Sequence, residues 1–192
     1  MGTIPYPSTT TPVTHPSARA FIPKYLHNSF PDPSGRPDVH IRDDFYGTRR
    51  HLRIGILGAG ISCINFLHYA TQRLRDGEYI VWERNTDVGG VWLTSQYPGC
   101  RCDIPSIVYQ FSWRPKKFWS EFYAPAKENL EYIQETAREE GFYRFMRFRH
   151  EIERAEWRDK DGMWTLQVRD LERGKVAQEK VHLFLELNGP VR

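Results

Sequence analysis

The glycines that follow an early apolar run are the residues with the clearest chemical potential. The run IGIL at positions 54–57 is typical of a buried strand, and GAGISC follows at positions 58–63. In a GxGxx pattern the first glycine permits a tight turn, and the second lets the backbone approach a phosphate closely. A helix that begins here presents free N–H groups to an anion. The spacing predicts a pyrophosphate site, although Cys63 replaces the usual third glycine, so we expect a slightly wider contact between helix and strand.

An acidic side chain stands where a nucleotide ribose would bind. The run YIVW at positions 79–82 predicts a second strand, and Glu83 follows it, 25 residues after Gly58. A carboxylate at this strand end can accept hydrogen bonds from ribose hydroxyls. Between the strands, apolar residues at helical spacing predict a helix: Cys63, Leu67, Ala70 and Leu74. A nucleotide-binding βαβ unit is therefore predicted; the alternative is an ordinary glycine turn, and the motif alone does not separate NAD from FAD.

The remaining segments predict how this unit is completed. A second helix is expected from about Ala126 to Glu140, and strands are expected at 148–157, 164–168 and 181–187, with a hairpin turn at 159–162. A Gly- and Pro-rich loop spans 87–105, and an alternating stretch runs from 106 to 113. Residues 1–37 hold eight prolines, so we expect segment 1–48 to be an extended or disordered tail, with an arm docked on the domain as the alternative.

Composition excludes several classes of function. The 192 residues carry a formal net charge of +3, which gives no electrostatic case for nucleic acid or an anionic membrane as the main partner. The three cysteines lack the spacing of a zinc site or a disulfide framework. The first 30 residues contain no apolar stretch of the secretory kind, so a cytoplasmic protein is expected. The basic and aromatic run at 113–119 resembles a single-strand nucleic-acid groove only weakly. A resemblance described below implies instead that its aromatic residues line a substrate approach.

Two longer motifs carry a family resemblance. Positions 83–92 read ERNTDVGGVW, and positions 96–106 read QYPGCRCDIPS. Together with the glycine motif, they closely resemble the flavin-binding region of the Baeyer–Villiger monooxygenases and their fungal relatives. That region reads GxGxxG, an acidic strand end, GG(T/V)W, YPG and CD. The likeness extends more loosely from about Arg49 to Gly189. It implies an α/β fold: a Rossmann-like FAD-binding domain over 49–192 with a parallel sheet and a β-meander.

The resemblance also implies roles for individual residues. Gly58, Gly60 and Ser62 would lie at the FAD pyrophosphate, and Glu83 at the ribose. Gly89 and Gly90 would form a second close backbone approach, with Val91 and Trp92 beside the flavin. Asp103, the candidate catalytic residue, would lie near the isoalloxazine ring. Arg101 and Cys102 would face the nicotinamide side, Tyr109 would contact FAD, and the backbone of Ile152 would hold the adenine.

Each of these roles has a simpler structural alternative. The two glycines of the second motif can form a plain turn, Trp92 can be a core aromatic, and Tyr109 can lie on the face of a sheet. Asp103 precedes Ile104 and Pro105 and can cap a turn through its side chain.

The parts that complete such an enzyme are not found in the sequence. It contains no second GxGxxG and no FxGxxxHxxxW signature, so we expect the NADPH domain of the family to be absent and strand 181–187 to present an open edge. A homodimer or a companion chain would cover that edge. The favoured function is an FAD-binding oxidoreductase of Baeyer–Villiger type acting on a small organic molecule, within secondary-metabolite biosynthesis. A non-redox isomerase or cyclase using the same cleft, and a non-catalytic module that pairs with a companion chain, are the alternatives.

Overall fold

Ten regular elements and one short 3₁₀ helix make up the described residues, 50–74 and 76–189, of a computed structural model. In chain order they are β1 (Leu52–Leu57), α1 (Ile61–Arg73), β2 (Gly77–Glu83), α2 (Val91–Thr94), α3 (Ala126–Glu139), the 3₁₀ helix (Phe142–Phe145), β3 (Met146–Phe148), β4 (His150–Arg158), β5 (Met163–Asp170), β6 (Val176–Val181) and β7 (Leu183–Glu186). The expected tail at 1–48 lies outside the described residues.

A parallel sheet in the order β3-β2-β1-β7 forms the centre of the fold. One of its two inner strands, β1, is mostly apolar, and its β-branched residues Ile54 and Ile56 are fully buried. Helix α1 connects β1 to β2 and buries three of the four side chains that its spacing predicted, Cys63, Leu67 and Ala70. The fourth, Leu74, follows the last helical residue and is 39% exposed. The predicted βαβ unit is therefore confirmed, with β1 and β2 paired in parallel.

A three-stranded antiparallel meander, β4-β5-β6, packs on β2 through a second apolar cluster. Its buried members are Trp82, Leu166, Val168 and Val181, of which only Trp82 comes from the parallel sheet. Parallel sheet, helices and meander confirm the predicted fold class. The sheet order also places β7 at an edge: within the described residues it pairs with β1 on one side, and no strand covers the other.

Several predicted element boundaries were wrong. The strand expected at 148–157 is split at Arg149, whose positive φ of 54° turns the chain from β3 in one sheet to β4 in the other. The strand expected at 181–187 is split at His182: Val181 ends β6, and β7 begins at Leu183. The alternating stretch at 106–113 forms turns and no strand. Helix α3 agrees with its prediction to within one residue and is followed by Gly141, whose φ is 69°.

No helix within the described part of the chain has the length and apolar character needed to cross a membrane.

Candidate functional site

The two glycine loops predicted to bind a cofactor meet at the carboxyl end of the parallel sheet. Gly58 has a φ of 96°, and a Cβ there would lie 2.9 Å from the Cα of Asn188, just after β7. A Cβ on Gly90, whose φ is 55°, would lie 3.1 Å from the Cα of Gly60. The loops after β1 and β2 therefore touch backbone to backbone, and Gly90 permits this approach, because a side chain in its place would crowd Gly60.

The first turn of α1 is open to an anion. Gly60 is its N-cap, no side chain caps this end, and no acidic residue lies in the first turn. Such a terminus offers unsatisfied N–H groups and the positive end of the helix dipole. Ser62 contributes its backbone here, while its side chain is exposed and lines a groove of about 490 Å³ that runs along α1. The turn fits a pyrophosphate.

Cys63, at the position of the missing third glycine, is a packing residue. It is fully buried in the main apolar cluster. Burial, reinforced by the nearby Glu83 carboxylate, raises the pKa of its thiol to about 12. The sulfur therefore stays protonated at neutral pH and unreactive as a nucleophile.

The Glu83 carboxylate is held at the end of β2 by three hydrogen bonds. Its Oε2 accepts the Ala59 N–H at 2.8 Å. Its Oε1 accepts the backbone N–H of Asn85 at 2.8 Å and the Asn85 side-chain Nδ2 at 2.7 Å. The carbonyl of Ala59 in turn accepts the Gly89 N–H at 3.1 Å. One residue, Ala59, thus ties the first glycine loop to both Glu83 and the second loop through its N–H and its carbonyl.

The second glycine loop is anchored by Asp87. Tyr143 donates its hydroxyl to Asp87 Oδ1 at 2.7 Å, and Gln134 donates its Nε2 to Asp87 Oδ2 at 3.2 Å and to the Val88 carbonyl at 3.1 Å. Burial, followed by the Asp87 contact, raises the pKa of Tyr143. A Cβ on Gly89 would overlap a methyl group of Leu130 in α3. Helix α3 and the 3₁₀ helix therefore fix the position and orientation of this turn.

Trp92 and Tyr109 form a pair beyond the glycine loops. The Trp92 Nε1 donates to the Tyr109 hydroxyl at 3.0 Å, and the rings stand 5.6 Å apart and nearly perpendicular. The pKa of Tyr109 is raised mainly by burial; the Trp92 hydrogen bond opposes this, and the charges of Cys102 and Asp103 add to it. The structure thus brings together Trp92 and Tyr109, which were both assigned to the flavin. Cys102, assigned to the nicotinamide side, and Asp103, assigned to the isoalloxazine ring, lie close enough to Tyr109 for their charges to act on it.

Of the structural alternatives for these residues, the one for Trp92 is confirmed and those for Tyr109 and Asp103 are wrong. Trp92 is a buried member of the main apolar cluster, so it is a core aromatic as well as a candidate flavin neighbour. Tyr109 lies in a turn, and the sheet-face alternative is wrong. The Asp103 carboxylate is exposed and makes no hydrogen bond among the described residues, so it caps no turn there.

Three further predicted site residues have other contacts or are exposed. Arg101 is exposed and forms an ion pair with Glu121 at 2.8 Å. Val91 begins α2 with its side chain 46% exposed. Ile152 packs on the second apolar cluster, next to a register shift in β4. The strand that carries Ile152 starts near Glu83, because Phe148 at the end of β3 is in register with it.

The residues that sequence reasoning missed are those that hold the loops: Ala59, Asn85, Asp87, Gln134 and Tyr143. Asn85 and Asp87 had a local signal, since short polar side chains just after a strand often bond to neighbouring backbone N–H groups. Gln134 and Tyr143 contact Asp87 across 47 and 56 residues of sequence, and no local pattern reveals such a pairing.

Known proteins match the chain over this site. A family profile described as an NAD(P)-binding Rossmann-like domain matches residues 56–125. The FAD-binding monooxygenase stcW of Emericella nidulans is 31% identical over 143 residues, which are 73% of this chain and 24% of that protein. The Baeyer–Villiger monooxygenase of Streptomyces coelicolor is 30% identical over 120 residues, which are 62% of this chain and 22% of that protein.

Solved structures agree with these sequence matches. A steroid monooxygenase bound to NADP superposes with a TM-score of 0.63 at 29% identity, covering 73% of this chain and 27% of that one. OTEMO in complex with FAD and NADP gives a TM-score of 0.64 at 26% identity, covering 73% of this chain and 26% of that one. The chain therefore spans about a quarter of the length of the relatives that it matches.

Proposed function

We propose that this chain, which is a relative of the Baeyer–Villiger monooxygenases over their FAD-binding part, binds FAD across its two glycine loops. The observation that carries the proposal is the backbone contact between Gly60 and Gly90 beside an uncapped helix terminus. A contact without side chains leaves room for a phosphate chain to lie against both loops. At the same edge of the sheet, the buried Glu83 carboxylate is oriented by three hydrogen bonds and can accept a hydrogen bond from the ribose.

In this proposal each part of the cofactor has its own contacts. Gly58, Gly60 and the first turn of α1 hold the pyrophosphate, with Ser62 contributing its N–H. Gly89 and Gly90 support the chain from the other side, and Val91 and Trp92 lie beside the flavin. The backbone at Ile152 holds the adenine. Bound FAD supplies the redox chemistry, and the protein's residues bind and orient it.

We further propose that the reaction is oxygenation of a small organic substrate of Baeyer–Villiger type, in secondary-metabolite biosynthesis. Support comes from the relatives, which include FAD-binding monooxygenases of fungi. Asp103 is the proposed catalytic residue, because its carboxylate is exposed and its charge contributes to the raised pKa of Tyr109, the partner of Trp92. Arg101 and Cys102 would flank a nicotinamide cofactor there. Three free cysteines support the cytoplasm as the compartment.

A visible spectrum tests the FAD proposal. Protein purified with added FAD and then desalted should retain a yellow chromophore, and unfolding it should release FAD. A colourless protein that cannot be reconstituted would overturn the proposal. NADPH oxidation by this chain alone should be slight, and rapid turnover would show that the chain is a more complete enzyme than we propose.

A second candidate, pairing with another chain, is favoured by the open edge of β7. Its outer side is unpaired among the described residues, and Leu183 is 45% exposed. An exposed, apolar strand edge is a template for another strand. Light scattering tests the homodimer: twice the monomer mass supports it, and a monomer at high concentration leaves only a different companion chain as the partner.

A further inference from the structure

The Glu83 carboxylate has one vacant acceptor position among the described residues. A carboxylate offers about four acceptor positions, two on each oxygen. Asn85 fills both positions of Oε1, through its backbone N–H at 2.8 Å and its side-chain Nδ2 at 2.7 Å. The Ala59 N–H fills one position of Oε2 at 2.8 Å. The position that remains is on Oε2.

Asn85 is fixed from its other side as well. Its carbonyl accepts the Arg149 N–H at 3.0 Å, at the junction where the chain turns from β3 to β4. Arg149 has a positive φ of 54°, a conformation that a bonded backbone helps to hold. Asn85 therefore links the carboxylate at the end of β2 to the strand that leads towards Ile152. The backbone from which its side chain reaches Oε1 is therefore held at both its N–H and its carbonyl.

We propose that Asn85 is a positioning residue that restricts Glu83 to a single hydroxyl of the nucleotide ribose. The inference deepens the proposed function and rests on it. With Oε1 saturated, only Oε2 can accept from the ribose, and one vacant position accepts one hydroxyl. A carboxylate with both oxygens free would instead bind the two neighbouring hydroxyls together.

The test uses ADP, the phosphorylated adenosine half of FAD, with 2′-deoxy-ADP and 3′-deoxy-ADP. Affinities are measured by calorimetry for the full chain and its variants. For the wild type, one deoxy analogue should bind about tenfold more weakly than ADP, because a hydrogen bond to a charged group is lost. The other should bind within about twofold of ADP, since its missing hydroxyl has no acceptor on Glu83.

Asn85→Ala opens one position on Oε1, so the second analogue should now bind at least about threefold more weakly than ADP. If Asn85 had only a structural role, its removal would lower the affinities for all three nucleotides by the same factor, and the ratios of these affinities would stay unchanged. Asn85→Ser, whose hydroxyl can donate to the same oxygen, should keep the wild-type ratios. Thr86→Ala, at an exposed neighbour, is the matched control and should also keep them.

The outcomes separate this inference from the proposed function. Three results would each overturn the inference. They are equal losses of affinity for both deoxy analogues in the wild type, unchanged affinity ratios in Asn85→Ala, and no measurable ADP binding. If FAD binds but both deoxy analogues bind more weakly than ADP by the same factor, the proposed function stands and the inference fails. If ADP binds with the single-hydroxyl pattern while FAD does not bind, the proposed FAD binding fails, and the role of Asn85 is kept only for a simpler adenine nucleotide.

Discussion

Glu83 accepts the N–H of Ala59 at 2.8 Å, and this bond joins the end of β2 to the middle of the first glycine loop. Glu83 is only 5% exposed, so the bond lies in a poorly solvated position. Because the Ala59 carbonyl also accepts the Gly89 N–H, one carboxylate orients both loops of the proposed FAD site. Glu83 therefore shapes the site before any ribose reaches it.

Replacing Glu83 with glutamine tests this role. The amide oxygen can still accept from Asn85, but the amide nitrogen then faces the Ala59 N–H, and two donors meet. An unsatisfied buried donor costs about 1–3 kcal/mol, so the free energy of unfolding in urea should fall by that amount. FAD affinity should also fall.

Glu131→Gln is the matched control, because this residue lies on the exposed side of α3, with a side chain that is 60% exposed. Its unfolding free energy should change by less than about 0.5 kcal/mol. Equal effects of the two substitutions would show that the Ala59 bond does not organise the loops.

The core of the candidate site could be predicted from sequence because its signals are local. An apolar β-branched run, two glycines, a helical repeat and an acidic strand end lie within residues 54–83, and the structure forms the βαβ unit there. Helix α3 could be predicted from sequence as well, since its apolar residues repeat at helical spacing and Gly141 follows it.

The elements that were missed depend on contacts between distant segments. The short strand β3 forms by pairing with β2, more than 60 residues earlier, and its three residues carry no pattern of their own. The polar strand β6 has little apolar periodicity and is held by β5. The alternating stretch at 106–113 forms turns instead, with Ser106 donating its N–H to the carbonyl of Phe122.

Tyr143→Phe should loosen the second glycine loop. The substitution removes the hydroxyl that donates to Asp87 at 2.7 Å and leaves the ring in place. A hydrogen bond to a charged group contributes about 1.5–3 kcal/mol, and the partial exposure of Tyr143 places the expected loss of stability near the lower value. FAD affinity should fall several-fold. Tyr123→Phe, at a tyrosine that is 42% exposed, is the control for both measurements, and an equal effect there would contradict the assignment.

His182 predicts a pH dependence of stability. Its ring Nδ1 accepts the backbone N–H of Arg53 at 2.9 Å, and its backbone N–H donates to the Arg53 carbonyl at 2.8 Å. Burial, followed by the positive charges of Arg50, His51 and Arg53, lowers its pKa from 6.5. As the pH falls below 6.5, the unfolded chain gains this proton before the folded chain does. The stabilisation is therefore complete above that pH and is lost as the pH falls through the lower, folded pKa.

His182→Asn tests this dependence, because an asparagine oxygen can accept the same N–H but does not titrate. Thermal unfolding between about pH 7.5 and pH 5 should show a smaller decline in Tm for the variant than for the wild type. Identical declines in the two proteins would assign the pH dependence to other groups.

Gly60→Ala separates binding from folding. Gly60 has a φ of −88°, which alanine adopts readily, and a Cβ there would lie 3.6 Å from the Cα of Gly90, an ordinary contact. The unfolding free energy should therefore stay within about 0.5 kcal/mol of the wild type. The added methyl group would occupy the space through which a pyrophosphate reaches the backbone.

The central claim is that FAD lies across the two glycine loops, and titrating wild-type and Gly60→Ala protein with FAD under identical conditions tests it most directly. Quenching of flavin fluorescence should saturate for the wild type, and the affinity of the equally stable variant should be at least about tenfold lower. No saturable binding by the wild type, or equal affinities for the two proteins, would contradict the claim.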